Sequence, residues 1–235
     1  MLGRGAVHKH RDVQDGAARA AVFGISDGLV SNVSLILGIA GASTDPSIIR
    51  VAGISGLLAG AVSMAAGEYV SLQAQKELVE RELLIEKKSI DTNLEAEKEE
   101  LKSIYEERGI DSDLAEEVAR QIMSNSEIAL EVHVREELGV NPGQLGNPLL
   151  AASSSFVSFS FGAFVPLIPW LIGEGNSAIW TSAIMGIFST ALVGGVLARL
   201  SGRSVLKTST RQMLVAAAAC SVTYLIGSLL GTSIT

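Results

Sequence analysis

The fold follows from the point where an apolar run passes without a break into a charged one, at residues 57–86: LLAGAVSMAAGEYVSLQAQKELVERELLIE. Residues 57–67 contain no charged side chain, whereas residues 76–86 mix acidic and basic groups with Leu and Val. No proline separates the two halves, so nothing in the chain forces the helix to end between them. The stretch therefore predicts a membrane-spanning helix that continues into water.

Four more apolar stretches have the length of a membrane span. A bilayer core about 30 Å thick requires about 20 largely apolar residues of helix. Five stretches meet this requirement: 17–40, 49–73, 149–172, 177–199 and 213–232. We therefore predict an all-α membrane protein with five transmembrane helices and a cytoplasmic, acidic, three-helix insert between the second and the third. The predicted parts are an N-terminal arm (1–16), two spans (17–73), the insert (74–141) and three spans (149–235).

Acidic residues are concentrated in the insert. The 235-residue chain has a net charge of −7, with 25 acidic and 18 basic residues. Between Lys76 and Glu137 lie 19 of the acidic residues but only 9 of the basic ones, so this segment alone carries −10. A concentrated acidic block beside apolar runs favours cation binding and argues against nucleic acid as a partner. The single cysteine, Cys220, excludes an intrachain disulfide and a metal site built from cysteines.

The positions of lysine and arginine predict the orientation. The N-terminal arm is basic, and so is the connection before the fifth span, which contains Arg199, Arg203, Lys207 and Arg211. Positive residues in short connections stay on the cytoplasmic side. We therefore expect the N-terminus, the insert and that connection in the cytoplasm, and the C-terminus outside the cell membrane. No short apolar segment with a cleavage site follows the arm, so a cleaved signal peptide is not expected.

The insert is predicted to contain three amphipathic helices, at about 70–90, 93–108 and 112–138. Gly109 and Asn141-Pro142 interrupt the helical pattern on either side of the last one. Asp111 or Ser112 is expected to cap that helix, because either side chain can accept a hydrogen bond from a free backbone amide.

Asp27 is a candidate metal ligand in the first span. A charge at membrane depth costs at least about 2.5–3.5 kcal/mol, so the carboxylate should face a partner or an ion pathway. Helical spacing places it on a stripe of small side chains that another helix can approach closely: Ala20, Gly24, Asp27, Ser31, Ser34, Gly38 and Gly41. A second interpretation is that Asp27 caps the helix near the membrane surface.

The second span repeats this arrangement and adds two candidate ligands. Its small stripe contains Gly53, Gly56, Gly60, Ser63 and Gly67. Met64 and Glu68 lie one turn apart beside the stripe, and together they offer a thioether and a carboxylate. Such a pair suits Fe²⁺ or Mn²⁺ better than Mg²⁺ or Ca²⁺. The competing interpretations are that Met64 only packs and that Glu68 marks the cytoplasmic boundary.

The insert offers three pairs of candidate ligands, each on one helix face. They are Glu82 with Glu86, Glu97 with Glu100, and His133 with Glu137. Like charges at this spacing repel, and a bound divalent cation reverses the repulsion. His133 moves the preference of such a set toward Fe²⁺ and related metals. A solvated acidic surface remains the alternative for most of these glutamates.

Catalytic motifs are weak in this chain. Gly24-Ile-Ser-Asp-Gly28 matches the pattern of a hydrolase nucleophile, but that motif requires a strand-to-helix turn and a nearby base. Because the match lies in an apolar helix, we interpret it as coincidental and expect no enzyme activity and no cofactor. The sequence also contains no P-loop for ATP-driven pumping.

Three stretches resemble the signature motifs of the vacuolar iron transporter family, in its bacterial form. They are SDGLVSNVSLILGIAGA at 26–42, GAVSMAAGEY at 60–69 and VPLIPW at 165–170. The resemblance implies a homodimer that moves Fe²⁺, and often Mn²⁺, out of the cytoplasm in exchange for protons. It implies that Asp27 and Met64 line a path at the dimer interface, and that insert glutamates collect metal at its cytoplasmic mouth.

By position, the family's insert ligands fall on Glu86, Glu97, Glu100 and Glu137, and His133 falls where plant members have a methionine. Two departures from the family pattern concern the ligand set. Ser89 replaces an expected glutamate, which Glu82 could substitute for from one turn earlier, and Gly56 replaces a glutamate of the plant members, a role open to Glu68.

Two functions follow from these residues. The first is a proton-coupled exporter of Fe²⁺ and Mn²⁺, with Co²⁺ and Zn²⁺ as further candidates. The second is a membrane-anchored metal-binding or sensing protein without transport, which the insert would serve equally well. Asp27, Met64 and Glu68 distinguish them, because a protein that only binds metal in its insert has no use for ligands inside the membrane.

Overall fold

The structure, a computed structural model, describes residues 16–139 and 146–234. Apart from Gly16, the predicted N-terminal arm lies outside these ranges, as does the predicted break at Asn141-Pro142. The described residues form helices and no strand. The helices are α1 (Gly16–Ala42), α2 (Pro46–Thr92), α3 (Leu94–Glu107), α4 (Ser112–Met123), α5 (Ser126–Leu138), α6 (Pro148–Phe164), α7 (Ile168–Ile172), α8 (Gly175–Leu200) and α9 (Val205–Ile234).

Five helical segments are long and apolar enough to cross a membrane, which confirms the predicted number of spans. They are Ala17–Ala42, Pro46–Thr92, Pro148–Ile172, Gly175–Leu200 and Val205–Gly231. The chain is therefore a multi-pass membrane protein. The last span differs most from its predicted start, because α9 begins at Val205 and includes the polar residues 207–212 that the hydropathy pattern assigns to the connection.

Helix α2 confirms the continuation predicted from residues 57–86. Its 47 residues form one α-helix, which at 1.5 Å per residue is about 70 Å long. Since a bilayer core is only about 30 Å thick, much of α2 must lie outside it. The described residues divide into two compact units, one from 16–70 and 147–234 and the other from 71–139 with Gly146. We call them the membrane unit and the insert.

Within the membrane unit, α1 packs closely against α6 and α9. A side chain at Gly28 would collide with the carbonyl of Phe159, and one at Gly162 would collide with the carbonyl of Ile25. Toward α9, a Cβ atom at Gly41 would lie 2.5 Å from the carbonyl oxygen of Tyr224. The small residues of α1 thus allow two helix backbones to approach it, as the stripe predicts.

The glycine stripe of α2 has different neighbours. A Cβ at Gly60 would meet the ring of Phe159, and one at Gly53 would lie 2.7 Å from Leu167 Cδ1. Gly67 has nothing within 4 Å of that position. No backbone atom is among these neighbours, so the glycines of α2 make room for side chains from α1 and from the third span.

The third span is interrupted by prolines. A 3₁₀ turn at Val165–Leu167 separates α6 from α7. In the 3₁₀ register an amide donates to the carbonyl three residues earlier, and neither Pro166 nor Pro169 has an amide hydrogen. The carbonyls of Ala163 and Pro166, three residues before these prolines, therefore receive no backbone hydrogen bond in this register. They accept hydrogen bonds from Asn32 Nδ2 and Ser182 Oγ, each at 2.6 Å.

A small apolar core holds the insert together. It consists of Ile90, Leu101, Ala119, Met123 and Ala129, which come from all four helices of this unit. Burial of these side chains supplies the main favourable free energy for packing the helices.

The predicted single helix at 112–138 is wrong. Helix α4 ends at Met123, and Asn125 starts α5 by accepting hydrogen bonds from the amides of Glu127 and Ile128. This capping requires extended backbone at Asn125, which interrupts the helix. The insert therefore contains α3, α4, α5 and the end of α2. Asp111 caps α4 as predicted, and Gly109 ends the α3 region with a φ of +88°.

Candidate metal centres

The insert brings four predicted ligands from three helices together. Glu86 belongs to α2, Glu97 to α3, and both His133 and Glu137 to α5. Three of them lie one helical turn from a core residue: Glu86 from Ile90, Glu97 from Leu101, and His133 from Ala129. Since residues four apart share a helix face, the packing that buries the apolar residues also turns the ligands inward. We call these four residues the insert cluster.

The geometry of the insert cluster suits a divalent cation. One ligand atom from each residue lies within 4.8 Å of all the others. Opposite ligands of a small divalent ion, each about 2.1 Å from it, lie about 4.2 Å apart, so small side-chain movements would complete a coordination shell. Three carboxylates and one imidazole match the ligand preference of Fe²⁺, Mn²⁺ and Zn²⁺.

His133 is the centre of the insert cluster and is fully buried. Its Nδ1 lies 2.9 Å from Glu137 Oε1, 3.2 Å from Glu86 Oε1 and 3.8 Å from Glu97 Oε2. One ring nitrogen carries at most one proton, so it cannot donate to three carboxylates at once. Without a cation, two of the carboxylates therefore lack a donor from this nitrogen.

The electrostatics of the insert cluster favour a bound cation. Burial, helped by the negative charge of Glu137 and opposed by His133, raises the pKa of Glu86 from its ordinary value of 4.5 to about 7. Burial and the charges of Glu137 and Glu97 also raise the pKa of Glu100. A divalent ion would remove the repulsion that these carboxylates exert on one another.

The structure assigns different surroundings to the remaining insert candidates. Glu82 and Glu100 are not members of the insert cluster, although Glu100 lies near enough for the charges of Glu137 and Glu97 to add to burial in raising its pKa. Ser89, which stands where the family pattern has a glutamate, donates a hydrogen bond of 2.5 Å to Glu97 Oε1. It thereby fixes the orientation of a ligand, a role that the sequence did not indicate.

In the membrane unit, a cavity of about 330 Å³ contains two of the three predicted ligands. The lining residues that could contact an ion are Asp27, Ser31, Asn32, Ser63 and Met64. Gly56 and Gly60 also line the cavity. We call it the membrane cavity. Asp27 is the twelfth residue of α1, and its side chain is exposed in the single chain. This position excludes the interpretation of Asp27 as a helix cap.

Met64 and Glu68 have different surroundings. Met64 lines the membrane cavity and also packs against the apolar cluster of Ala61, Phe159 and Ala163, so packing and ligand binding are compatible. Glu68 is not in the cavity lining. It instead forms an ion pair with Arg19, at 3.1 Å, and its side chain is 13% exposed.

Asn32 is the residue that sequence reasoning missed in this region. It is 2% exposed, it binds the third span through Ala163, and it lines the membrane cavity. The available signal was a polar amide inside an apolar span, which tends to face the interior of a helix bundle.

Comparison with known sequences identifies the family. Residues 18–228 match the sequence profile of the VIT family, and this range contains both candidate sites. The chain belongs to the VIT family. The resemblance of the three signature stretches is thereby confirmed over most of the chain.

Curated members of the VIT family are similar over nearly the same range. A vacuolar iron transporter from Acanthamoeba castellanii is 36% identical over 230 residues, covering 96% of this chain and 83% of that protein. Vacuolar iron transporter 2 from Oryza sativa subsp. japonica is 28% identical, covering 86% of this chain and 84% of the rice protein. Vacuolar iron transporter 1 from Arabidopsis thaliana is 27% identical, with coverages of 88% and 83%. These relatives are named as transporters rather than as enzymes.

Proposed function

We propose that this VIT family member exports Fe²⁺, and Mn²⁺ as a second substrate, from the cytoplasm in exchange for protons. The insert cluster captures the ion, and Asp27 and Met64 bind it during its passage through the membrane. Asp27 alternates between metal and proton. No cofactor takes part, because metal is the transported substrate.

The membrane cavity is the observation that carries this proposal. It places the carboxylate of Asp27 and the thioether of Met64 in one space inside the membrane unit, in a chain whose relatives are named as iron transporters. An ionisable group within a membrane span marks an ion or proton pathway by default, because its insertion is costly. The softness of a thioether favours transition metals over Mg²⁺ and Ca²⁺.

The functional unit in this proposal is a homodimer. In a single chain the Asp27 side chain is exposed, and a carboxylate facing lipid costs at least about 2.5–3.5 kcal/mol. A second copy of the chain covering the membrane cavity would remove Asp27 from lipid and would enclose a path between the subunits. Cross-linking of single cysteines placed at Ser63 in a Cys220→Ala background would test this arrangement.

The proposed location is the cell membrane, with the insert cytoplasmic and the C-terminus outside. Arg203, in the connection between α8 and α9, and the flanking Arg199, Lys207 and Arg211 support this orientation through the positive-inside rule. Labelling of single cysteines at Ser204 and at Ser43, on opposite sides of the membrane, would test it in intact cells.

A membrane-anchored metal-binding protein without transport is the second candidate. The insert cluster favours it, because all four ligands belong to the insert and need no residue of the membrane unit. The two functions differ in what they expect of Asp27, which only a transporter uses.

Flux through the reconstituted full chain tests both candidates. Proteoliposomes should take up Fe²⁺ and Mn²⁺ faster under a pH gradient than without one, and Asp27→Ala should abolish uptake. Glu174→Gln, which removes a carboxylate from the connection between α7 and α8, is the control and should transport normally. Metal binding without any flux would support the second candidate. Undiminished flux in Asp27→Ala would refute the role of this carboxylate.

A further inference from the structure

In the side-chain amide of Asn32, the nitrogen makes a hydrogen bond and the oxygen makes none with the described residues. Its Nδ2 donates to the carbonyl oxygen of Ala163 at 2.6 Å. Because a carbonyl only accepts, the amide must present its NH₂ group there and its oxygen on the other side. That oxygen is buried and has no hydrogen-bond partner among the described residues. Buried polar atoms without a partner are uncommon and costly, so this one calls for a ligand.

The surroundings of Asn32 Oδ1 indicate which ligand it could bind. Asn32 lines the membrane cavity together with Asp27 and Met64. On the α2 side, the oxygen lies 2.9 Å from the position that a Cβ atom would take at Gly56. The absence of a side chain at Gly56 therefore leaves open the space in front of the oxygen. A neutral oxygen and a carboxylate that line the same cavity are suitable ligands for a hard or borderline divalent cation.

We propose that Asn32 Oδ1 binds the transported ion in the membrane cavity and favours Mn²⁺ and Fe²⁺ over softer ions. This inference rests on the proposed function. Asn32 would serve two purposes, since its nitrogen holds α1 to the interrupted third span while its oxygen completes the ligand set of Asp27 and Met64.

Two substitutions separate ion binding from a structural role. Asn32→Leu keeps the side-chain volume but removes the oxygen and the bond to Ala163. Ser182→Ala is the matched control, because it removes the equivalent buried hydrogen bond, of 2.6 Å, to the carbonyl of Pro166. Asn32→Asp supplies an oxygen at the same place and, when protonated, an O–H group for Ala163.

The measurement is Mn²⁺ and Zn²⁺ flux in proteoliposomes as a function of metal concentration, normalised to folded protein. Loss of an outer-shell partner of a metal already costs about 10–100-fold in affinity, so Asn32→Leu, which removes a direct ligand, should raise the KM for Mn²⁺ by at least that amount and the KM for Zn²⁺ by less. Asn32→Asp should restore part of the loss. Ser182→Ala should lower the folded yield while leaving both KM values unchanged.

Gly56→Ala provides a second test that keeps the Asn32 side chain and its bond to Ala163. The added methyl group would meet Leu35 Cδ2 first and would lie 2.9 Å from Asn32 Oδ1. Since the end of the Leu35 side chain can move aside, the methyl group still crowds the oxygen, and the KM for Mn²⁺ should rise here too. This variant decides the question if Asn32→Leu does not fold. A KM in these variants equal to that of the wild type would overturn the inference, as would equal changes in Asn32→Leu and Ser182→Ala. A wild-type protein without flux would instead refute the proposed function, and the inference with it.

Discussion

The insert cluster and the membrane cavity differ in the number and the charge of the ligands that they offer to a metal ion. In the insert cluster, three carboxylates surround one buried imidazole within 4.8 Å. The membrane cavity has one carboxylate, one thioether and one amide oxygen in about 330 Å³. Many charged ligands bind a dilute ion tightly, whereas an ion in transit must bind weakly enough to leave. The difference suggests capture in the insert and passage in the membrane unit.

The strongest way to break this comparison is Asp27→Asn. This substitution keeps the shape of the side chain and removes the only charge among the described residues that line the membrane cavity. We expect metal flux to fall by more than the roughly 10–100-fold that an outer-shell partner costs. Mn²⁺ binding by the insert, measured by calorimetry on the full chain in detergent, should remain unchanged. A parallel loss of both would show that the two sites do not function separately.

The opposite result is expected from His133→Ala. Removal of the central imidazole should weaken Mn²⁺ binding by at least the roughly 10–100-fold that an outer-shell partner costs, while flux at saturating metal persists. Glu82→Gln is the matched control, since Glu82 lies one turn before Glu86 but outside the insert cluster. If Glu82→Gln weakened binding as much as His133→Ala does, ligand assignment by the cluster geometry would be wrong.

Proton competition should be visible in the insert cluster between pH 6 and pH 8. Because the pKa of Glu86 is raised to about 7, the folded chain holds a proton there that metal must displace. Mn²⁺ affinity should therefore rise with pH, by at most about tenfold per unit for one released proton. Titration calorimetry at several pH values measures this slope, and Glu86→Gln should flatten it.

Without metal, the raised pKa of Glu86 makes the free energy of unfolding change with pH in the opposite direction to the metal affinity. The folded state binds a proton that the unfolded chain releases near pH 4.5, so the free energy of unfolding falls as the pH rises from 4.5 to about 7. The protection factors of the α5 amides, which correct hydrogen exchange for its own dependence on pH, should fall over this range. Excess Mn²⁺ should prevent this fall, since it binds the ionised form.

The smallest effect is expected from Asn125→Ala. Loss of this cap should destabilise α5 by about 1 kcal/mol and weaken metal binding less than tenfold, because α5 carries His133 and Glu137. Thermal unfolding of the purified chain measures the change. Ser126→Ala, at the neighbouring position, leaves the cap in place and should have a smaller effect.

Hydropathy predicted the membrane spans because each has to match the thickness of a bilayer. The continuity of α2 was equally predictable, since residues 57–86 contain no helix-breaking proline. The division between α4 and α5 was not. The amphipathic pattern at 112–138 continues through Ser124 and Asn125. The break there is selected by hydrogen bonds of these two side chains, from Ser124 to the carbonyl of Gln121 and from the amides of Glu127 and Ile128 to Asn125.

Ligands that lie on the same helix could be predicted to pair. Where the ligand depends on which helical turn packs against another helix, the sequence could not identify it. His133 and Glu137 are four residues apart, so their pairing follows from helix geometry. The choice of Glu86 over Glu82 depends on which turn of α2 faces α5. Glu68 pairs with Arg19, which is 49 residues distant in sequence, so no local pattern could reveal it.

The two prolines of the third span make its stability in the bilayer depend on the spans that supply the missing hydrogen-bond donors. In hydrocarbon no water replaces a missing backbone donor, and each unsatisfied carbonyl costs several kcal/mol. Asn32, which donates to the carbonyl of Ala163, precedes the third span in the chain. Ser182, which donates to the carbonyl of Pro166, follows the third span and is synthesised later. A chain truncated before α8 therefore lacks the side chain that donates to the carbonyl of Pro166, so the stability of the third span depends on the presence of the fourth.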